Sequence, residues 1–477
     1  MHPCLRLEEI LQEIFKHADY RSLTVLEPLI ERLPHDLWST KSGALVIWGP
    51  LRRQDWEVFA RCSRRVRSLR LRWFASDVQL YRALSSPPDP SFLLPNLRTF
   101  TWHCLSTRSA GLDAMTGFMR LFLGHNPVEV QLIVSEHALA AFSNLRCTSL
   151  RKLVIQSHKV PISADVTEEA ICNHSDLRSL ACGEVSVRAL HHLSQFPSLS
   201  RLTIGLGDDI PSALIFQRSP FRTLRYLTIN SKSIGPCLSL LKATNWSIRC
   251  FHHRMDAGYD PAGRGVLLEL LPLQLSHESL KCISLHTDAA PHQDDGPLTN
   301  PLSLKPLFSF KNLLILELSG AILPGLDNHG LRVLILQQKA GPYRVPHVDL
   351  TGLVLLLEHC PDLHQLAISV NAIIDTKAPP VPPVNSISNK LITSINFCNS
   401  PITKTAEVAA FLSAIVPNLR ETSSWTGEVM CSRGNAQEYR RRWDNVAELV
   451  PVFAEVRNQE REACMHAFNF KREVERM

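Results

Sequence analysis

The chain has 477 residues, 45% of them hydrophobic and 20% charged, too long for one simple core and suited to a repeat array or to two or three domains. Its 51 Lys and Arg against 45 Asp and Glu leave a net charge of +6, too mild an excess to imply nucleic acid. Thirteen scattered cysteines without a CxxC pair argue against a disulfide framework and for a reducing compartment, and no stretch approaches the ~18 apolar residues of a membrane span.

The first element in chain order is amphipathic. In LRLEEILQEIF (5–15), Leu7, Ile10, Leu11, Ile14 and Phe15 form one apolar helical stripe, with Glu8, Glu9, Gln12, Glu13 and Lys16 on the other side. The glutamates exclude the apolar h-region of a signal peptide, so the chain is read as cytoplasmic or nuclear. A helix this short is marginal alone and needs a partner. Residues 29–64 read as a helical linker and N-terminal cap. Eight arginines fall between Arg52 and Arg72. They make either a basic patch for phosphate or an acidic partner, or the solvated face of the first helix and strand. The interspersed Asp55 and Glu57 favour the solvated face.

From residue 65 the chain repeats itself. SLRKLVIQ (149–156), DLRSLACG (176–183), SLSRLTIG (198–205) and TLRYLTIN (223–230) share an L-x-x-L-x-[apolar] unit, and it returns as SLKCISLH (279–286), NLLILELS (312–319), GLRVLILQ (330–337) and DLHQLAIS (362–369). Weaker copies include RVRSLRLR (65–72), NLRTFTWH (96–103), SIRCFHH (247–253), LITSINFC (391–398) and NLRETSSW (418–425). About fourteen copies lie over residues 65–430, spaced by roughly 27 residues, within the range of leucine-rich repeats. Helical stretches such as VSVRALHHLSQF (185–196) and LTGLVLLLEHC (350–360) fall between them. One strand and one helix cannot bury their own apolar sides, so neighbours must stack. The fold class expected is α/β: a leucine-rich-repeat solenoid with a curved parallel sheet on its concave face and helices on its convex face, behind a short N-terminal helical segment.

Proline-dense stretches at 85–95, 288–306 and 375–389 read as loops leaving the array. The tail, residues 431–477, reads as two helices broken at Pro451 that cap the last repeat.

No motif for phosphate, dinucleotide, nucleophilic or metalloprotease chemistry occurs, so no enzyme activity and no cofactor are expected. Cys250, His252, His253 and Asp256 in RCFHHRMD are the densest ligand-like group. Without a second pair at zinc-like spacing they read as surface residues of a variable loop, and no metal is expected.

An amphipathic N-terminal helix placed before a leucine-rich array resembles the F-box/leucine-rich-repeat proteins of mushroom-forming fungi. Leu7, Glu9, Ile10, Leu11, Ile14 and Phe15 match the first F-box helix, with Glu8 where that family has proline. EPLIERLPHDLW (27–38) and PLRRQDWEVFARCSRRVRSL (50–69) resemble the segments joining F-box to repeats. The second and third F-box helices do not follow HADYRSL (17–23), so residues 1–28 form a truncated F-box-like segment. The resemblance implies a substrate-recruiting subunit of an SCF-type ubiquitin ligase, with Leu7, Ile10, Leu11, Ile14 and Phe15 docking on a Skp-type adaptor and a protein client on the concave face.

Alternation along the strands puts Thr99, Thr101, Lys152, Val154, Arg201, Thr203, Tyr226, Thr228, Ser284, His286 and Glu317 outward. Of these, Lys152, Arg201, Thr203, Tyr226, Thr228, His286 and Glu317 are the candidate client contacts. Arg201 and Tyr226 lead, because Arg and Tyr dominate binding hot spots. Two other readings stay open: a leucine-rich-repeat scaffold with no ubiquitin-ligase role because the F-box is incomplete, and a nucleic-acid or phosphate binder through residues 52–72.

Overall fold

The computed structural model describes residues 27–41, 44–73, 78–87, 93–104, 118–124, 127–145, 147–157, 160–216, 220–256, 260–287, 305–319, 330–337, 346, 348–374, 388–425 and 435–474. The expected N-terminal helix, with Leu7, Ile10, Leu11, Ile14 and Phe15, lies outside them, as do residues 88–92, 288–304 and 375–387 of the proline-dense stretches. The chain divides into two compact units, residues 1–205 and 206–477. Among the described residues no helix is long and apolar enough to cross a membrane.

The first unit opens with α1 (Glu27–Ile30) and an antiparallel pair, β1 (Trp38–Lys41) and β2 (Ala44–Ile47). This corrects the all-helical reading of residues 29–64. The β-formers of WST and ALVI flank a Ser-Gly pair, a hairpin signal. Then comes α2 (Arg53–Ser63), whose start is fixed where the Asp55 carboxylate accepts the Arg52 N–H at 2.8 Å. It buries Trp56 and Phe59 and leaves Arg53, Arg61, Arg64 and Arg65 in solvent. Six parallel strands follow in chain order: β3 (Ser68–Trp73), β4 (Thr99–Cys104), β5 (Glu129–Val134), β6 (Lys152–Ser157), β7 (Ser179–Glu184) and β8 (Arg201–Leu206), the last crossing the division. They alternate with α3 (Val78–Leu84), α4 (Glu136–Ser143), α5 (Ala164–Cys172) and α6 (Val187–Ser194).

The second unit holds β9 (Tyr226–Ser231), β10 (Cys250–Met255), β11 (Cys282–Thr287), β12 (Ile315–Ser319), β13 (Val333–Gln337), β14 (Gln365–Ile368), β15 (Ser394–Asn396) and β16 (Glu421–Ser423), again parallel and in chain order. Its helices are α7 (Gly235–Lys242), α8 (Pro261–Gln274), α9 (Leu350–His359), α10 (Thr405–Ile415) and α11 (Ala436–Val474). The Asp260 carboxylate caps α8 by accepting the Gly263 N–H at 2.9 Å. A Cβ on residue 263 would sit 2.2 Å from that carboxylate, so only glycine fits the cap as built. Each unit is thus a parallel sheet flanked by helices, an α/β arrangement.

The repeat residues build this core directly. Every lead residue of the repeats except Val66 is buried. Within a unit the triad Leu150, Leu153 and Ile155, or Leu224, Leu227 and Ile229, lies under one face of the sheet. Each large apolar side chain so buried contributes roughly 1.5–3 kcal/mol. The backbone fixes how repeats meet. The residue just before most of the strands gives its carbonyl to two N–H groups of the next repeat: Arg67 to Arg98 and Thr99, Arg151 to Arg178 and Ser179, Arg249 to Lys281 and Cys282, at 2.7–3.1 Å. Side chains ahead of the lead leucines add a second clamp. Asn96 Nδ2 donates to the Arg64 carbonyl at 2.7 Å, Asn312 to Glu278 at 3.0 Å, and Asn418 to Lys390 at 2.8 Å.

The tail departs from expectation. Residues 436–474 form one helix that runs through Pro451. Proline cannot donate to the Ala447 carbonyl, a defect that ends most helices. Here tertiary packing outweighs it, because Trp443, Val446, Val450 and Ala454 lie at 3- and 4-residue spacings and are all buried. Trp443 stacks on Phe397, with ring centres 3.9 Å apart, and its Nε1 donates to the Ser400 carbonyl at 2.9 Å. Farther along, Arg457 donates to the Ala410 carbonyl and to Ser413 Oγ on α10. Trp443→Ala is expected to cost roughly 3–5 kcal/mol in urea unfolding, whereas Glu462→Ala, on the solvent-exposed end of the helix, leaves the midpoint within about 0.5 kcal/mol.

His174, in the first unit, is 4% exposed and packs against Phe142. Burial holds its pKa below the ordinary value, against a hydrogen bond to the Cys147 backbone that pulls the other way. Its Nε2 has no partner among the described residues. The unfolded chain takes up a proton here as the pH falls through about 6.5, while the folded chain resists until lower pH. Stability contributed by neutral His174 is therefore present above that pH and lost below it. His174→Phe should flatten the fall in urea midpoint between about pH 7 and pH 5; an equal fall in both proteins would show that His174 titrates normally.

Candidate functional site

Parallel pairing places the outward residues of each unit in rows. In the first unit, Thr99, Glu129, Lys152, Ser179 and Arg201 are consecutive register partners, and beside them run Thr101, Gln131, Val154, Ala181 and Thr203. Lys152, Arg201 and Thr203 are therefore brought to one face, as are Thr99, Thr101 and Val154. None of these six is buried. Lys152 Nζ meets Glu129 Oε2 at 3.1 Å, an ion pair with both side chains about half exposed; such a pair contributes under ~1 kcal/mol and presents both signs of charge to a partner.

A polar cleft of about 670 Å3 runs along the strand starts of this unit, lined by Arg67, Arg98, Arg151 and Arg178 together with Asn96 and Asp176. The four arginines hold the same place in four of five successive repeats, the residue before the strand, where the β5 repeat has Val128. Their backbones carry inter-repeat hydrogen bonds, while their exposed side chains share the cleft with the carboxylate of Asp176. Positive charge focused in a cleft attracts carboxylates or phosphates, and guanidinium groups bind these oxygens bidentately. The signal was present in the sequence as the residue after each lead leucine, in LRT, LRK and LRS.

In the second unit the register rows are Tyr226, Cys250, Cys282 and Ile315; then Thr228, His252, Ser284 and Glu317; then Asn230, Arg254 and His286. Tyr226 and Thr228 are half-exposed on this face. Ser284 was expected outward; it does face outward in register but is only 1% exposed, because it lies beneath neighbouring side chains and donates to Glu317 Oε2 at 2.9 Å. His286 Nε2 stands 3.3 Å from the same oxygen. The His286 contact, and less strongly the Ser284 hydroxyl, holds the Glu317 carboxyl below its ordinary pKa against the opposing effect of burial. His286 and Glu317 are thus one polar group. Arg201 and Tyr226 belong to different units.

The RCFHHRMD segment is not a loop. Residues 250–255 are β10, with Cys250 and His252 on the outward side and Phe251, His253 and Met255 buried beneath. His253 takes the third core place of its repeat, where most other repeats have Ile or Leu. It manages this as a neutral ring, its pKa pushed down to about 4 by burial and by the Arg264 charge, with a 2.9 Å hydrogen bond to Ser231 Oγ. Asp256 follows the strand and is exposed. Cys250 and His252 instead meet Cys282 of β11, a residue about 30 positions away that sequence spacing could not associate with them.

No protein-family model and no curated protein matches this chain.

Proposed function

We propose that the chain is a non-enzymatic interaction platform, a leucine-rich-repeat solenoid whose strand face holds a protein client, and that it acts as the substrate-recruiting subunit of an SCF-type ubiquitin ligase. The observation that carries the platform reading is the rows of outward side chains, held in register across successive parallel strands and only partly covered. A rigid face of this kind binds with little ordering cost. The ligase role rests on the resemblance of Leu7, Ile10, Leu11, Ile14 and Phe15 to the first F-box helix. In this reading those residues dock on a Skp-type adaptor while Lys152, Arg201, Thr203, Tyr226, Thr228, His286 and Glu317 contact the client. The arginine cleft favours a client segment rich in Asp, Glu or phosphate, whose retention weakens as salt rises.

Affinity capture of the full chain from native cells, scored for adaptor and cullin, tests the two halves separately. Ile14→Asp with Phe15→Asp should abolish adaptor recovery and leave the melting temperature unchanged, since two buried large side chains are worth roughly 3–6 kcal/mol of interface. Unfolding of that variant, or no adaptor with the wild type, points instead to a repeat scaffold outside the ubiquitin system. Arg201→Ala with Tyr226→Ala should remove clients at unchanged melting temperature. Unchanged clients would take the contact off the strand face.

A further inference from the structure

Strands β10 and β11 pair in parallel, with Cys250 opposite Cys282 and His252 opposite Ser284. Cys250 and His252 are two residues apart on one strand, so both project from the same side. Cys282 projects from that side of the neighbouring strand. The two Sγ atoms and a ring nitrogen of His252 all lie within 4.8 Å of one another, and Cys282 Sγ is 3.9 Å from His252 Nε2. A tetrahedral ion with metal–sulfur bonds near 2.3 Å and metal–nitrogen bonds near 2.1 Å needs ligand atoms about 3.6–3.8 Å apart. Rotamer adjustment of under about 1 Å brings these three donors to that separation.

The surroundings suit a cation. Cys282 is buried, while Cys250 and His252 are half-exposed, so the group opens on the outward face instead of into the core. Glu317 lies on the same register row as His252, one strand beyond Ser284. Its charge acts on both His252 and Cys282, and its carboxylate is oriented by Ser284 and His286. A nearby oriented carboxylate of this kind is the usual outer support of a metal site. Two sulfurs and one imidazole select a thiophilic, borderline-soft ion over calcium or magnesium, which require oxygen donors.

We propose that Cys250, His252 and Cys282 form a binding site for zinc, with three protein donors and a fourth position open to the outward face. On coordination each thiol releases its proton to solvent and both sulfurs bind as thiolates; no electron is transferred. The site stands independently of the ubiquitin-ligase reading, since it uses none of the N-terminal residues.

The test uses the full chain, reduced, stripped with a chelator and desalted, then titrated with cobalt(II) followed by optical absorption, and with zinc against a chromophoric chelator. The expected result is one equivalent of cobalt with thiolate-to-metal charge transfer and the strong visible bands of a tetrahedral ion, displaced by zinc. Cys250→Ser and His252→Gln, at half-exposed positions where folding is checked by circular dichroism, should each weaken zinc binding by roughly tenfold or more. Cys62→Ser, on α2 in the other unit, should leave it unchanged. A reduced, folded chain that shows no cobalt charge transfer overturns the assignment, and so does a cobalt spectrum that survives both Cys250→Ser and His252→Gln.

Discussion

The contact on which this architecture depends is a backbone carbonyl shared by two N–H donors. At the start of one strand after another, the preceding residue accepts from two successive amides of the next repeat, as Arg98 does from Val128 and Glu129 and Lys281 does from Leu314 and Ile315. A net hydrogen bond contributes only about 0.5–1.5 kcal/mol, less than the burial of a single repeat's leucine triad. Burial therefore supplies the stability, and the carbonyl supplies the register. Register matters more than its energy suggests, because sliding a strand by one residue would send every leucine outward and every polar partner into the core.

Once register is set, the polar surface follows from it. Glu129 and Lys152 meet because their strands start level; so do Ser284 and Glu317. The arginines of the cleft are placed by the same rule: Arg98 donates to the Arg67 carbonyl, Arg151 to that of Val128 in the repeat between, and Arg178 to that of Arg151. The arrangement explains how basic residues can occupy a conserved geometric place without entering the fold's energetics. Their main chains hold the repeats together while their side chains stay available for ligands. The histidine in a leucine place, His253, shows the limit of this tolerance. It fits only as the neutral ring, with Ser231 to satisfy its nitrogen.

Much of the fold was legible in the sequence because it depends on local periodicity. Leu177 and Leu180, or Leu199 and Leu202, lie three apart and are buried together, and helices such as Val187–Ser194 occupy the stretches between strands. What was not legible depends on partners far along the chain. Pro451 reads as a break until Phe397, more than fifty residues earlier, supplies a stacking surface for Trp443. RCFHHRMD reads as a loop because its core residue is a histidine, and its link to Cys282 exists only through strand pairing. The hairpin at residues 38–47 carries only a Ser-Gly pair as its local signal, and the helical patterns of the segments on either side mask it. The asparagine clamps were visible as N-L pairs at 96, 312 and 418, but their acceptors lie in the preceding repeat.

The last strand, β16, is only three residues long, and the next element against it is α11, with Thr422 Oγ1 donating to the Trp443 carbonyl at 2.9 Å. A parallel sheet ending in an open strand offers free amides and carbonyls to any other extended chain, which is the usual start of edge-to-edge aggregation. Here the edge is both too short to template a partner and covered by a helix that cannot extend the sheet. The tail thus terminates the array chemically as well as geometrically: it prevents the molecule from polymerising through its own most repetitive feature.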